Sequence, residues 1–346
     1  MGSVESRLNK AALKKAAAWG TEIDVNVAGS GIIPLNWGVP KHIMPGIDED
    51  SIASPFEHDL DFGDVSPADF ALEFDCRYDG LNFIQAAVMG AAAAPAKQGA
   101  SDAYLHTLSL ANSIAGIFGT YAVEKLDKIH VVPSIKFHKL TYSLAAGLLK
   151  LAVACRGNQV IDDSAIISAM TNVTYPQRHE RTLYKQSIFR INAQSGIPLA
   201  DGDKTYPRNF SVEIERRDID VPHTASSPTI VEPLEGLKKP LVKVMLEWPR
   251  MDTANKVYFA DWKAGNEKKM DLVFTGNLIA ETYYYYIKFQ FPRLKIEDIE
   301  YAHGGIIPAK AILRGLEADT APQGMTGITK PVQLDLMNKS TANALA

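Results

Sequence analysis

Residues that could perform chemistry are present in this chain, but their spacing matches no common catalytic motif. Gly29-Ser30-Gly31 lacks the further glycine of a dinucleotide-binding loop, the Gly-Lys-Ser/Thr end of a phosphate-binding loop, and the spacing of a hydrolase nucleophile elbow. Cys76 and Cys155 do not form the closely spaced pair that zinc clusters use, and we predict that both are buried free thiols. We therefore expect no catalytic residue, no cofactor and no enzymatic activity.

Acidic residues are concentrated between His42 and Cys76, where the chain has ten carboxylates and neither lysine nor arginine. These carboxylates are Asp48, Glu49, Asp50, Glu57, Asp59, Asp61, Asp64, Asp69, Glu73 and Asp75. His42 and His58 among them raise the alternative of a metal site, but their spacing does not match an EF-hand loop. A long acidic surface loop explains the pattern better, so we expect no metal.

Three other histidines lie near the ends of predicted strands, namely His130, His138 and His303. Lone histidines on strands are packed or solvated more often than they are ligands, so we assign them no chemical role. The second half of the chain has Trp248, Tyr258 and Trp262, which could form a platform for a sugar ring. The helical spacing of the last two favours packing in the core instead.

Length and composition are those of a soluble protein with two domains. The chain has 346 residues, 46% of them hydrophobic and 22% charged, and its net charge is −4. Domains of about 100 to 200 residues are usual, and a negative chain has no basic surface for nucleic acid. The longest apolar runs are shorter than the about 20 residues that span a membrane, and the N-terminus lacks the apolar core of a signal peptide. We therefore predict an intracellular protein without membrane partners.

Two segments resemble each other, Pro133–Gly157 and Pro292–Gly315, and each predicts a β-hairpin. An alternating strand is followed by a turn of small residues, Ala145-Ala146-Gly147 or Gly304-Gly305, and by a second apolar strand. The aligned pairs are Pro133 with Pro292, Ile135 with Leu294, Lys136 with Lys295, Phe137 with Ile296, Leu140 with Ile299, Tyr142 with Tyr301, and Arg156-Gly157 with Arg314-Gly315. A period of about 160 residues is too long for a solenoid and indicates a duplicated domain.

Other elements are duplicated in the same order. The alternating residues of Asp69–Arg77 predict a strand, and Phe83–Met89 before Gly90 predicts a short helix. Leu241–Trp248 and Asn255–Gly265 predict the same two elements in the second half.

Further elements complete the prediction along the chain. A helical arm is predicted over residues 3–20, from its alanines and from Gly20 at its end, and Lys10, Lys14 and Lys15 make it basic. Strands are predicted near Ile32–Trp37, Gln186–Asn192, Asn209–Arg216 and Val332–Leu336. Tyr283–Phe291 is strongly β-prone and could lie inside a sheet shared between subunits.

The predicted domains follow from this pattern. Residues 1–20 form the N-terminal helical arm, 21–165 the first repeated domain, 166–320 the second repeated domain, and 321–346 a C-terminal extension.

The duplicated unit resembles the tail tube proteins, or major tail proteins, of long-tailed bacteriophages. The residues that carry the resemblance are Trp19-Gly20-Thr21-Glu22, the segment FDCRYDGLNFIQAAVMG from Phe74 to Gly90, Tyr104-Leu105-His106, and the return strand LLKLAVACRG of the first hairpin. The pattern recurs in the second half, so the resemblance covers most of residues 15–315. It implies a mainly β fold, a β-sandwich or barrel-like unit with a short flanking α-helix, present here in tandem.

The resemblance also implies a function, that of a virion protein that assembles into stacked rings and forms the phage tail tube. Single-domain members form hexameric rings, so a chain with two units implies a homotrimer with pseudo-sixfold symmetry, although six chains per ring remains the alternative. DNA would pass through the lumen during ejection without specific binding, which suits a negatively charged protein. The implied partners are copies of itself and the tape-measure, tail terminator and baseplate proteins, with assembly in the host cytoplasm.

Three alternative functions remain open. A tail terminator or an injection-system tube component could have the same fold, and a carbohydrate-binding β-sandwich protein would use the aromatic residues named above.

We also hypothesise that Lys10, Lys14 and Lys15 contact an acidic surface of the next ring, in which case their neutralisation would impair tube elongation.

Overall fold

The structure is a computed structural model that describes residues 10–36, 46–48, 60–62, 69–125, 128–176, 181–217, 219–222, 229–250, 257–301 and 309–346. The first half has strands β1 (Ala11–Lys15), β2 (Gly31–Ile32), β3 (Gly46–Asp48), β4 (Leu60–Phe62), β5 (Asp69–Asp75), β6 (Gly90–Ala92), β7 (Ala96–Lys97), β8 (Tyr104–Leu110), β9 (Gly119–Lys125), β10 (Lys128–Ala145), β11 (Leu148–Gly157) and β12 (Ile161–Asp162). The second half has β13 (Ser187–Ala193), β14 (Lys204–Thr205), β15 (Asn209–Glu215), β16 (Leu241–Trp248), β17 (Glu267–Ala280), β18 (Tyr283–Tyr301), β19 (Ala309–Gly315) and β20 (Gln333–Asn338). The helices are α1 (Asn82–Met89) and α2 (Val257–Ala264).

We call β1 to β12 with α1 the first unit, and β13 to β20 with α2 the second unit. All pairings between named strands are antiparallel, and every strand except the β3–β4 pair belongs to one connected network. The prediction of a mainly β fold with a short helix in each unit is confirmed.

One sheet runs through both units in the order β5–β11–β10–β15–β16–β19–β18. A second set of strands lies on each unit separately, β2–β1–β9–β10 in the first and β14–β13–β17–β18–β20 in the second. The long strands β10 and β18 belong to both layers, because each changes neighbours part-way along its length.

The core fills the space between these layers with alternating apolar side chains. In β11, Leu149, Leu151 and Val153 are buried at every second position, as a strand with one inward face requires. Tyr142 of the first unit meets Phe289 of the second edge to face, with ring centroids 4.8 Å apart. One hydrophobic cluster therefore includes residues from both units.

Helix α1 ends where its sequence predicts. Gly90 follows the last helical residue with φ of +86°, and its N–H is bonded to the carbonyl oxygen of Ala86. A Cβ at this position would come within 2.9 Å of the Arg216 guanidinium, so both the backbone and the neighbouring side chain require glycine.

The predicted N-terminal helix is wrong where the structure can be compared with it. Residues 11–15 form the strand β1, which pairs with β9 and β2, whereas residues 3–9 lie outside the described part of the chain. Ala11 and Ala12 are fully buried, and they pair with Val123 and Ala122 of β9. Tertiary packing here outweighs the helix propensity of alanine, which is a weak preference.

The remaining strand predictions are largely confirmed. Strands β5, β13, β15, β16 and β20 appear within a few residues of the predicted positions, and near Ile32–Trp37 only Gly31–Ile32 is a described strand. Tyr283–Phe291 forms the first half of β18, and its neighbours β17 and β20 belong to the same chain. This part of β18 therefore needs no second subunit to fill its edges. Among the described residues, no helix is long and apolar enough to cross a membrane.

Candidate functional site

The two repeated hairpins have the same strand register and the same irregularity. Lys136 pairs with Arg156 in the first, and the aligned Lys295 pairs with Arg314 in the second. Each register then shifts at one residue, His138 in β10 and Glu297 in β18, which the sequence alignment places at the same position. A β-bulge at an identical position is a specific structural feature, so the two hairpins are copies of one element.

A second irregularity is also duplicated. The pairing of β9 with β10 shifts between Val132 and Ile135, and that of β17 with β18 shifts between the aligned Phe291 and Leu294. Pro133 and Pro292 lie at these shifts, where a residue without an N–H cannot continue the ladder. The register shifts at Pro133 and Pro292 are thus duplicated together with the hairpins.

A further duplicated stretch is evident only when the hydrogen bonds are compared. The N–H of Leu35 donates to the carbonyl oxygen of Glu73 at 2.6 Å, and the N–H of Arg208 donates to that of Glu247 at 2.6 Å. The sequences around these donors are Pro34-Leu35-Asn36-Trp37 and Pro207-Arg208-Asn209-Phe210. The pattern Pro-x-Asn-aromatic was the signal that sequence reasoning missed. It identifies Asn36 as the first-unit equivalent of the start of β15.

The units are joined by strand pairing. In the shared sheet, Ser211–Glu215 of β15 pairs with Lys139–Ser143 of β10. In the second join, β20 lies between β18 of its own unit and β8 of the first unit. Backbone ladders of this kind fix both register and orientation, so the two units form one body.

Charged side chains reinforce the join, and Lys136 is the most deeply buried of them. Its side chain is 1% exposed, and its ammonium lies 2.6 Å from a carboxylate oxygen of Glu232 and 2.6 Å from the carbonyl oxygen of Pro233. Both partners belong to the loop between β15 and β16 of the second unit. A buried ammonium needs such partners, because an unpaired charge in the interior is costly.

Arg216 crosses the join in the opposite direction. It follows β15, and its guanidinium donates to the carbonyl oxygens of Val88, Met89 and Ala111 of the first unit at 2.8, 2.6 and 2.8 Å. Glu235 lies 3.2 Å from it and completes an ion pair. The cation thus binds carbonyls at the C-terminal end of α1, where the helix dipole favours positive charge.

Arg156 and Trp19 also donate hydrogen bonds to the loop between β15 and β16. Arg156 binds Asp69 through two nitrogens and also donates to the carbonyl oxygens of Ile219 and Asp220. The indole N–H of Trp19 donates to the carbonyl oxygen of Ile230 at 2.9 Å. Trp19, which is part of the sequence resemblance, and Arg156, which is part of the repeat, therefore both contact the second unit.

The second unit has a lysine and an arginine at the equivalent positions, but no loop covers them in the described part of the chain. Lys295 and Arg314 occupy the positions of Lys136 and Arg156, but Lys295 is exposed, and the Arg314 side chain is 40% exposed against 17% for Arg156. No carboxylate of the described residues lies within ion-pair distance of Lys295. Arg314 approaches Glu297 at 3.6 Å.

The strand edge beside this surface is open as well. Asp298–Tyr301 of β18 pairs with β19 on one side, and no strand in the described part of the chain pairs with its other side, which we call the open edge. The N–H of Ile299 is bonded to the side chain of Asp298 at 2.8 Å. The equivalent stretch of β10 is covered by β15.

A cleft of about 600 Å³ lies apart from the join, between β1, β2, the start of α1 and the C-terminal segment. Asp79 and Lys339 line it, and burial raises the pKa of Asp79 to about 6 despite the opposing effect of Lys339. Its lining residues include no histidine, cysteine or second carboxylate that could act with Asp79. Lys14 and Lys15 also line the cleft, so its titratable side chains are one carboxylate and three lysines.

The structure separates the residues that sequence analysis considered for chemistry. His130 is bonded to Asp162 at 2.5 Å, and His138 lies at the bulge beside the join. His42, His58 and His303 lie outside the described residues. Within the part of the chain that the structure describes, no group of three His, Cys, Asp or Glu side chains could hold a metal ion.

Other predicted residues are structural. Cys76 and Cys155 are buried free thiols, as predicted. Trp248 is buried and stacks on Tyr258 at 5.1 Å, while the indole N–H of Trp262 donates to the carbonyl oxygen of Glu297. Trp248 is therefore a core residue, and the half-buried Tyr258 and Trp262 pack against the core. Lys10 and Lys15 donate to the carbonyl oxygens of Met170 and Leu345 within the chain.

Comparisons with known proteins found similarity only at the level of structure. No protein-family model matches the sequence, and no curated protein matches it. One of the matching solved structures is described as the crystal structure of Hcp protein. The match has 8% sequence identity and a TM-score of 0.23, and it covers 37% of this chain and 86% of that chain.

Proposed function

We propose that this chain is a non-enzymatic structural subunit that assembles head to tail into rings, and that the rings stack into a tube. The observation that carries the proposal is the open edge of β18 at Asp298–Tyr301. It is the equivalent of the edge of β10 that the second unit covers within the chain.

The geometry of the in-chain join supports this proposal. In the first unit, the edge of β10 pairs with β15 of the second unit. In the second unit, the equivalent edge of β18 is open to solvent or to another copy of the chain. At the other end of the shared sheet, Leu35 is bonded to β5 as Arg208 is bonded to β16, and the sequence from Asn36 matches the start of β15. A contact between these two ends joins different surfaces, so it is heterologous and leads to a closed ring or to a continuing helix.

Strand pairing between copies would also remove an aggregation hazard. An exposed strand edge presents unpaired N–H and C=O groups that attract other chains. Binding of the Ile299 N–H by Asp298 satisfies one such donor in the single chain. A carboxylate that caps the edge in this way can be displaced when a strand of the correct partner arrives.

We further propose that the tube is a phage tail tube with three chains, and thus six units, in each ring. This part of the proposal rests on the sequence resemblance and on the duplicated unit. A negative net charge of −4 suits a conduit for DNA, because phosphate is repelled rather than bound. The partners proposed are the tape-measure, terminator and baseplate proteins, and the location is the virion.

Electron microscopy of the purified protein at increasing concentration tests the proposal. Rings or tubes with a central hole are expected, and class averages with threefold repeats would support three chains. An Ile299→Pro variant, which lacks the edge N–H, should remain monomeric, whereas Ile299→Thr keeps that N–H and should assemble. Monomers of the unaltered protein at all concentrations, or equal assembly of both variants, would contradict the proposal.

A further inference from the structure

We propose that Lys295 and Arg314 form a cationic socket that receives the acidic segment of a second copy of this chain, residues 48–64. The inference rests on the proposed head-to-tail assembly and names the charged contact that closes it. Lys295 and Arg314 lie at the β18 end of one chain's shared sheet, whereas β5, the strand that follows the acidic segment in the sequence, lies at its other end.

The filled version of the socket is present inside each chain. Lys136 is buried against Glu232, and the same carboxylate oxygen accepts a hydrogen bond from the N–H of Gly116 at 2.7 Å. Arg156 lies opposite Lys136 in the ladder and binds the same incoming loop through Ile219 and Asp220. A lysine and an arginine paired across a hairpin thus hold the loop that precedes β16.

The open version has the same two cations in the same register. Lys295 pairs with Arg314 across β18 and β19, two residues before the shared bulge position. Its Cε and Nζ both lie 3.8 Å from the position that a Cβ on Gly265 would occupy, so the side chain extends towards the end of α2. Glu297 lies 3.6 Å from Arg314 and 3.6 Å from Lys243, so it balances the charge of the two adjacent cations only in part. An incoming carboxylate would reduce the repulsion that remains between Lys295 and Arg314.

The acidic segment is the matching ligand. It contains seven carboxylates, Asp48, Glu49, Asp50, Glu57, Asp59, Asp61 and Asp64, and no lysine or arginine. It follows the Asn36 stretch and precedes β5, and the loop that supplies Glu232 follows β15 and precedes β16. The two segments therefore occupy the same position in the sequence of the repeat, and both contain carboxylates that complement the charge of the paired cations.

This contact gives assembly a defined electrostatic dependence. The join inside the chain is buried, and its two units belong to one polypeptide, so salt should affect it little. The contact between copies forms from exposed charges at an encounter, so its formation should weaken as ionic strength rises. Ring formation, rather than chain folding, is the step that salt should inhibit.

Charge substitution tests the contact on the full-length protein. Lys295→Glu should raise the protein concentration needed for ring formation by about tenfold or more, while Lys295→Arg should assemble like the unaltered chain. Lys330→Glu is the matched control, because the Lys330 side chain is 40% exposed, like that of Arg314, and its ion pair with Glu317 lies at the surface. Circular dichroism of each variant as a monomer checks that folding is unchanged.

Zero-length carbodiimide cross-linking provides a second measurement that needs no substitution. In assemblies mixed from nitrogen-14 and nitrogen-15 chains, Lys295 should become linked to a carboxylate of residues 48–64 of a different chain. The link between Lys136 and Glu232, whose atoms are 2.6 Å apart, should appear within one chain and serves as the positive control.

The outcomes separate this inference from the proposed function. Rings that form normally with Lys295→Glu, and show no cross-link from Lys295 to the acidic segment, would overturn the socket and leave the ring proposal standing. Unaltered protein that forms no assembly would overturn both. Loss of rings with Lys295→Glu, retention with Lys295→Arg and Lys330→Glu, and the cross-link between chains would support both.

Discussion

Arg216 of the second unit donates a hydrogen bond to the carbonyl oxygen of Met89, the last residue of the first unit's helix, at 2.6 Å. Burial lowers the pKa of the guanidinium, and Glu235 opposes that effect by favouring the charged form. One fully buried cation therefore connects a strand end of one unit to a helix end of the other.

Arg216→Met should destabilise the chain strongly, because it removes the ion-pair partner of Glu235 and the donor to three carbonyl oxygens. Removal of one partner of a buried ion pair typically costs about 3 to 5 kcal/mol. Urea denaturation of the monomer measures this loss. The matched control is Arg208→Met, since Arg208 pairs with Glu247 at 51% side-chain exposure and should contribute less than about 1 kcal/mol. Equal losses in the two variants would contradict the assignment.

The double variant Arg216→Met with Glu235→Gln should recover part of that loss. Neutralising Glu235 removes the unpaired carboxylate that the single substitution creates, although the helix carbonyls still lack a donor. A double variant that is no more stable than Arg216→Met would show that Glu235 is solvated without its partner.

His138 should make the stability of the chain fall as pH decreases from 6.5 to 4. Burial, followed by the charge of Arg156, lowers the pKa of His138 from an ordinary 6.5 to about 4. The unfolded chain binds the proton first, so the folded state loses stability across this window, by about 3 kcal/mol at most. Above pH 6.5 the imidazole is neutral in both states and contributes no pH dependence.

The difference between the unaltered chain and His138→Gln isolates this effect from other groups. Asp79 acts in the opposite direction, because its raised pKa of about 6 makes the folded state bind the proton more tightly. It is present in both proteins, so its contribution cancels in the comparison. Denaturation curves of the two proteins with parallel pH profiles would disprove the role of His138.

Gly90→Ala should destabilise the chain more than Gly116→Ala, although both glycines have positive φ angles, +86° and +75°. The backbone strain of about 1 to 2 kcal/mol is common to both. Only at Gly90 would the new Cβ also contact Ala111 and Arg216 at 2.9 Å, while nothing lies within 4 Å at Gly116. Thermal unfolding should show the larger decrease for Gly90→Ala, and an equal decrease would remove the steric explanation.

Cys76 and Cys155 should be inert towards thiol reagents in the folded chain. Burial raises the pKa of Cys76 to about 12 and that of Cys155 well above its usual value, so neither forms the reactive thiolate at neutral pH. Ellman's reagent should react with neither thiol in the native protein and with both in denaturant. Rapid reaction of either thiol under native conditions would show that its strand opens locally.

The amino-acid sequence by itself determined the local elements and the repeat. Alternating apolar residues in Asp69–Asp75 and Leu241–Trp248 require strands with one buried face, and Gly90 ends the helix that precedes it. The aligned Pro133 and Pro292 indicated that the hairpins are copies, because the residue types that specify a bend are local.

Only the tertiary structure decided how the copies join and which copy remains open. Lys136 and Lys295 have similar local sequences, yet one is buried by Glu232 and the other is exposed, because the covering loop comes from about 100 residues away in the chain. Ala11 and Ala12 became strand residues for the same reason, since their partner β9 is distant in sequence. Strand pairing and burial depend on such distant contacts, which residue periodicity does not encode.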